Sequence, residues 1–108
     1  MRWMSGYERL RRSADFDRIR NEGRLLKGSL MLIRIAPGLE GITRVGCIVS
    51  KKNGNSVKRN RIKRMFRAAA RASELPGSCD IVLIPRSRMA SAETKSTEVA
   101  EELARLLA

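Results

Sequence analysis

The segment that most constrains this chain is the uninterrupted stretch from Ser56 to about Ala72, S-V-K-R-N-R-I-K-R-M-F-R-A-A-A-R-A, bounded by a turn-rich loop before it and Pro76-Gly77 after it. Its spacing predicts a helix, with Ser56 as a candidate N-cap. On a wheel of about 100° per residue, Met65, Phe66 and Ala69 fall within about 60° of Ile62 and form an apolar stripe suited to packing on a sheet. Asn60, Lys63, Arg64, Arg67 and Arg71 fall on the opposite side, between about 100° and 200°, with Arg59 and Arg61 on the two flanks. That side cannot be core. No Asp or Glu lies in the helix to relieve the repulsion among its cations, so a polyanion is the natural counterpart.

The rest of the chain sharpens this contrast. The 108 residues hold 23 Lys and Arg against 11 Asp and Glu, a formal charge of +12, yet no acid occurs from Gly41 to Ser73, where ten basic residues lie. The length suits one domain, 1–108, and leaves no room for a second, catalytic one. There is no apolar run of membrane-spanning length. Met1 to Arg12 lacks the apolar run and cleavage site of a secretory signal, so the expected location is the cytoplasm. Cys47 and Cys79 each sit inside an apolar run without metal-ligand spacing, and buried free thiols are expected.

Other segments supply a small sheet and two more helices. Ser13 can cap a helix over Ala14 to Asn21, with Asp15 and Asp17 at its positive end and Gly23 as its stop. Leu30 to Ile35 and Arg44 to Ser50 read as strands, with a short one possible at Leu25 to Gly28. Cys79 to Ile84 suits a buried central strand. Between about Ser91 and Leu107, Val99, Leu103, Leu106 and Leu107 recur at helical spacing, with Glu98, Glu101 and Glu102 expected toward solvent. The order α-β-β-β-α-β-α suggests an α/β or α+β layer of helices against one small sheet, without the regular alternation of a doubly wound fold.

Histidine is absent, which removes the usual general base and the commonest metal ligand. Asp15 and Asp17 would diverge on a helix, and no carboxylate cluster is legible for metal-dependent hydrolysis. The loop Lys51-Lys52-Asn53-Gly54-Asn55 extends the basic surface, since glycine permits close backbone approach to a ligand and the following helix N-terminus favours anions. Guanidinium groups predominate on the helix and suit bidentate phosphate contact and stacking on unpaired bases, both of which RNA offers.

The stretch V-S-K-K-N-G-N-S-V-K-R-N-R-I-K-R-M-F-R, Val49 through Arg67, resembles the signature of the bacterial ribonuclease P protein subunit, centred on Arg59-Asn60-Arg61. Arg9-Leu10, Asp15-Phe16 and Gly23 resemble that family's N-terminal segment. The resemblance implies an α-β sandwich with a small central sheet, ribosomal protein S5 domain 2-like, and a left-handed βαβ crossover. It also implies a protein that assists a catalytic RNA, whose Mg²⁺ ions serve cleavage of the 5′ leader from precursor tRNA, with no catalytic group on the protein and no obligatory protein partner. By position, Lys51, Lys52, Arg59, Asn60, Arg61, Lys63, Arg64, Arg67 and Arg71 face the RNA subunit. The family's leader cleft, between the first helix and the sheet, corresponds to Phe16, Arg20 and Arg34. Phe16 fits either that cleft or the core. Arg20, Met31 and Arg34 stand where aromatics are common in the family, so this cleft leans on charge rather than stacking. A generic basic module, ribosomal or DNA-binding, and a self-sufficient metal nuclease are the competing classes.

Overall fold

The computed structural model describes residues 3–4, 7–91 and 93–108. In chain order the elements are β1 (Trp3–Met4), β2 (Glu8–Arg9), α1 (Ser13–Glu22), β3 (Arg24–Lys27), β4 (Met31–Pro37), β5 (Arg44–Cys47), a 3-10 turn at Lys51–Asn53, α2 (Ser56–Ala72), β6 (Leu75–Pro76), β7 (Cys79–Pro85), a second 3-10 turn at Ser87–Ala90 and α3 (Ser96–Leu107). Five strands form one sheet in the order β2-β5-β7-β4-β3. The pairs β2/β5 and β5/β7 are parallel, whereas β4 runs antiparallel to both β7 and β3. A separate pair, β1/β6, is antiparallel. This is the expected mixed α+β fold, with β5 and β7 joined through α2.

Strand alternation splits the sheet into two faces. Met31, Ile33, Val45, Ile81 and Leu83 project to the side covered by α2 and α3, where Ile62, Met65, Phe66, Ala69, Val99 and Leu103 close the main core. The apolar stripe read from the wheel is that contact surface. Ala36 and Val82 project to the other side, where Leu10 and Ile19 form a smaller cluster under α1, with Phe16 and Ile84 partly buried against it. Register sets Arg34 opposite Val82 and Leu25, hence on the face of α1. β7, central and apolar except for Asp80, is the expected buried strand.

Several local expectations are corrected. Ser56 does not cap α2; Asn55 does, its side chain accepting from the Lys58 N–H at 3.0 Å. Ser13 is inside α1, and Arg12 holds the N-cap position without a side-chain bond. The last helix starts at Ser96, because the chain before it is spent on a 3-10 turn at Ser87–Ala90. The strand from Arg44 ends at Cys47, and that from Met31 continues to Pro37. Cys47 is only half-buried, while Cys79 is buried; both are free thiols.

Glu102 is the largest departure. Expected toward solvent, it is 2% exposed, because it lies three residues after Val99 and so shares the apolar face of α3. Its Oε1 accepts from the Ser29 N–H and hydroxyl, both at 2.8 Å, and its Oε2 from the N–H groups of Leu30 and Met31 at 2.8 and 3.0 Å. Burial works against the charged carboxylate, but these bonds outweigh it and hold the group below its ordinary pKa. The carboxylate thereby fastens α3 to the β3–β4 hairpin.

Asp80 is a second buried acid, with no exposed surface. Arg44 grips it with two bonds, Nε to Oδ1 at 2.8 Å and Nη2 to Oδ2 at 2.7 Å, and Arg18 donates to Oδ2 as well. Asp15 adds a longer contact to Arg44 at 3.3 Å. Burial disfavours the Asp80 charge, yet the two guanidinium groups overcome it and lower the carboxyl pKa. The same hydrogen bond raises the Arg44 pKa. Asp15 thus serves α1 as a link to the sheet as well as a charge at its positive end.

Candidate nucleic-acid interface

The cationic surface is assembled by the β5–α2 connection and by α2 itself. After β5, the 3-10 turn at Lys51–Asn53 is held from within: the buried Asn53 side chain accepts from the Ser50 N–H at 2.9 Å. This fixes the turn while Lys51 and Lys52 remain exposed. Gly54 then adopts φ +114°, a region closed to most L-residues, and a Cβ there would lie 2.8 Å from Lys58 Cδ. The glycine is required by the turn itself, and the turn delivers the chain to the N-terminus of α2.

Along α2, Asn60, Arg64 and Arg71 are exposed and Arg59, Lys63 and Arg67 half-buried. Arg59 donates from Nη2 to Ser56 Oγ at 3.3 Å, and its Nε is enclosed with no hydrogen-bond partner among the described residues. Arg61 is different. Its Nη1 donates to the Ser91 carbonyl at 2.9 Å and its Nη2 to the Thr94 carbonyl. One flank of the helix is therefore tied to the turn that precedes α3. Apart from Arg61, no cation of α2 is ion-paired to a carboxylate among the described residues.

The other flank opens onto a groove of about 810 Å³ lined by Tyr7, Arg9, Leu10, Phe16, Val45, Gly46, Cys47, Lys63, Phe66, Arg67, Arg71 and Leu83. Phe16 lies over Gly46, where a Cβ would stand 2.6 Å from the Phe16 Cζ, so this close approach depends on the missing side chain. Burial pushes the Cys47 thiol pKa up, against the opposing pull of Lys63, Arg67 and Arg9. At Cys79 burial, then the Asp80 charge, pushes it up to about 11. Neither thiol is an activated nucleophile.

Phe16, Arg20 and Arg34 do not all line this groove; of the three only Phe16 does. Arg20, one turn further along α1, pairs with Asp17 at 2.8 Å on the surface, and Arg34 is half-buried on the sheet face beneath α1. Tyr7 and Arg9, absent from the sequence reading of the site, are brought to α2 by β2 joining the sheet edge. Nothing local in the sequence signals that junction. Among the described residues, no three His, Cys, Asp or Glu side chains group to hold a metal ion, and no helix is long and apolar enough to cross a membrane.

The fold and its acid-free cationic helix define a small protein of mixed α+β class with one surface suited to a polyanion. The family model for ribonuclease P matches residues 4–108, and the chain belongs to the ribonuclease P protein family. It is 36% identical over 95 residues to the ribonuclease P protein component of Dehalococcoides mccartyi, covering 88% of this chain and 79% of that one. With the ribonuclease P protein component of Desulforapulum autotrophicum it shares 37% identity over 101 residues, covering 92% and 85%. The ribonuclease P protein structure from Thermotoga maritima superposes with a TM-score of 0.84 at 32% identity, covering 93% of this chain and 94% of that one. The Staphylococcus aureus protein gives 0.79 at 27%, covering 94% of each.

Proposed function

We propose that this chain is the protein component of a ribonuclease P holoenzyme, acting across 1–108 as one RNA-binding domain in the cytoplasm. In this reading Lys51, Lys52, Arg59, Asn60, Lys63, Arg64, Arg67 and Arg71 bind the catalytic RNA subunit, and Arg61 holds their helix in place. The observation that carries it is the outward side of α2, on which Lys63, Arg64, Arg67 and Arg71 gather with no carboxylate paired to them among the described residues. Confining like charges in that way costs repulsion that a phosphate backbone removes. Phe16, Arg20 and Arg34, on α1 and the sheet face beneath it, hold the single-stranded 5′ leader of precursor tRNA.

Chemistry belongs to the RNA. Mg²⁺ is held mainly by RNA in the holoenzyme, and the protein's own buried carboxylates fit no ion, since Asp80 is consumed by Arg18 and Arg44 and Glu102 by hairpin N–H groups. The protein contributes binding and orientation of the precursor, and the RNA subunit cuts the leader to leave the mature tRNA 5′ end.

The test is cleavage of a 5′-extended precursor tRNA at low Mg²⁺ by a bacterial ribonuclease P RNA, with and without the protein. Correct cutting only with both supports the reading. Cutting by the protein alone would make it a nuclease, and no effect of added protein would leave a basic RNA-binding module without a role in cleavage.

A further inference from the structure

Helix α1 is held to the sheet by little apolar surface. Ile19 is its one buried residue, Phe16 is partly buried, and the N-cap position at Arg12 makes no side-chain bond. Apolar contact is non-directional, so it does not by itself fix how far the helix slides or rolls over the strands. Polar bonds supply the direction. Asp80 of β7, without exposed surface, lies between Arg44 of β5 and Ala36 of β4 on the face under α1. Arg44 grips both of its oxygens, at 2.8 and 2.7 Å, and reaches Asp15 of α1 at 3.3 Å. Arg18, about one turn further along α1, donates to Asp80 Oδ2 and, at 3.2 Å, to the Pro37 carbonyl. Phe16 falls between these two attachments in sequence and meets the sheet at Gly46, two residues after Arg44 on the same strand.

We infer that Asp80 is a positioning residue for the leader site: through Arg18 and Arg44 it fixes where α1 lies on the sheet, and so sets Phe16 and Arg20 over the face that carries Arg34. The inference rests on the function proposed above, in which those three side chains hold the 5′ leader. A buried ion pair adds little net stability over apolar groups of the same volume, whereas a two-bond guanidinium–carboxylate contact fixes angle as well as distance. Two guanidinium groups from different elements converge on this one carboxylate. A single side chain on β7 therefore sets the register of α1 against β4 and β5 together. Asp80 acts only through its partners, since it has no exposed surface with which to touch RNA.

Wild type, Asp80→Asn and Arg18→Met are each assembled with a bacterial ribonuclease P RNA. Binding of precursor tRNA with a single-stranded 5′ leader is compared with binding of mature tRNA, with circular dichroism and hydrogen exchange as the checks on folding. Asp80→Asn adds a unit of positive charge, so general attraction would tighten the binding of every RNA. Positioning predicts the reverse for the leader alone: precursor affinity falls about fivefold to tenfold, the loss of one stacked base. Affinities for mature tRNA and for the RNA subunit, and cleavage at saturating precursor, should stay as in wild type. Should Asp80→Asn fail to fold, Arg18→Met still tests the inference, because it leaves the Arg44–Asp80 contact in place. The same leader-specific loss is expected there with the salt slope unaltered, and Arg18→Lys should recover most of it. In both variants that break the contact, the α1 amides should exchange faster and those of α2 should not. A salt slope lower by about 0.7 in Arg18→Met would make Arg18 a phosphate contact and overturn the inference. Equal losses for precursor, mature tRNA and RNA subunit, the result of a merely destabilised fold, would overturn it too, as would faster α1 exchange with leader affinity intact. If the wild type itself does not favour precursor over mature tRNA, the proposed leader site falls, while hydrogen exchange still decides whether Asp80 fixes α1.

Discussion

Neighbouring arginines on α2 do different work according to the flank they occupy. Arg64 is exposed, with no carboxylate paired to it among the described residues, and its replacement by Ala is expected to leave thermal stability nearly unchanged while reducing the salt slope of RNA binding by about 0.7 to 0.9, one phosphate contact. Arg61 spends its fork on the Ser91 and Thr94 carbonyls. Arg61→Ala should therefore lower stability by about 1–3 kcal/mol, read from urea unfolding, and leave the salt slope as it was. A slope that fell as far as that of Arg64→Ala would assign Arg61 to phosphate instead. The wheel sets Arg64 on the outward side and Arg61 on a flank, but it records direction around an axis and not what another element brings to meet it. Gly46 makes a similar point: a methyl group there meets the Phe16 ring, and Gly46→Ala should cost about 1–3 kcal/mol in the same unfolding measurement.

At the scale of elements, α3 is held by polar bonds at both ends of its packing surface as well as by Val99 and Leu103. Arg61 ties the turn before it to α2, and Glu102 ties its body to Ser29, Leu30 and Met31. Replacing Glu102 with Gln puts an amide NH₂ against N–H donors at one oxygen position, and about 2–4 kcal/mol of stability should be lost, more than a surface carboxylate such as Glu101 would cost. Hydrogen exchange should show the Leu30 and Met31 amides opening in that variant. The apolar positions Val99, Leu103, Leu106 and Leu107 were enough to place α3, but the same reading set Glu102 toward solvent although it lies three residues after Val99. What it would bond could not be read, because the hairpin lies more than seventy residues earlier.

For the molecule as a whole, two buried carboxylates set the acid limit of stability. Asp80 and Glu102 both have folded pKa values below their ordinary ones, and in the unfolded chain they titrate near about 3.9 and 4.3. Their contribution is thus fully present above about pH 5 and is lost as pH falls through the folded values. The melting temperature should be level from pH 7 to about 5.5 and fall steeply below 4. Glu102→Gln should start lower and show a shallower fall; an equally steep fall in that variant would mean that Glu102 does not contribute to the acid limit. At neutral pH the +12 charge acts outward, on a polyanion, and RNA affinity should drop steeply with salt.

The periodicity of Ser56 to Ala72, the acid-free interval around it and the apolar runs of the strands determined by themselves that a basic helix would pack on a small sheet with its cations outward. Those are properties of spacing along one element, and hydrophobic burial reads spacing directly. The Arg59-Asn60-Arg61 signature likewise carried the family. Tertiary structure decided which cations stay outward, that Arg61 and Glu102 turn to main-chain partners, that Asp80 is held between Arg18 and Arg44, and that β2 carries Tyr7 and Arg9 to the flank of α2. Each of these joins residues far apart in sequence, and the partner of a buried charge depends on which distant group the fold sets within hydrogen-bond reach, a quantity no local pattern encodes.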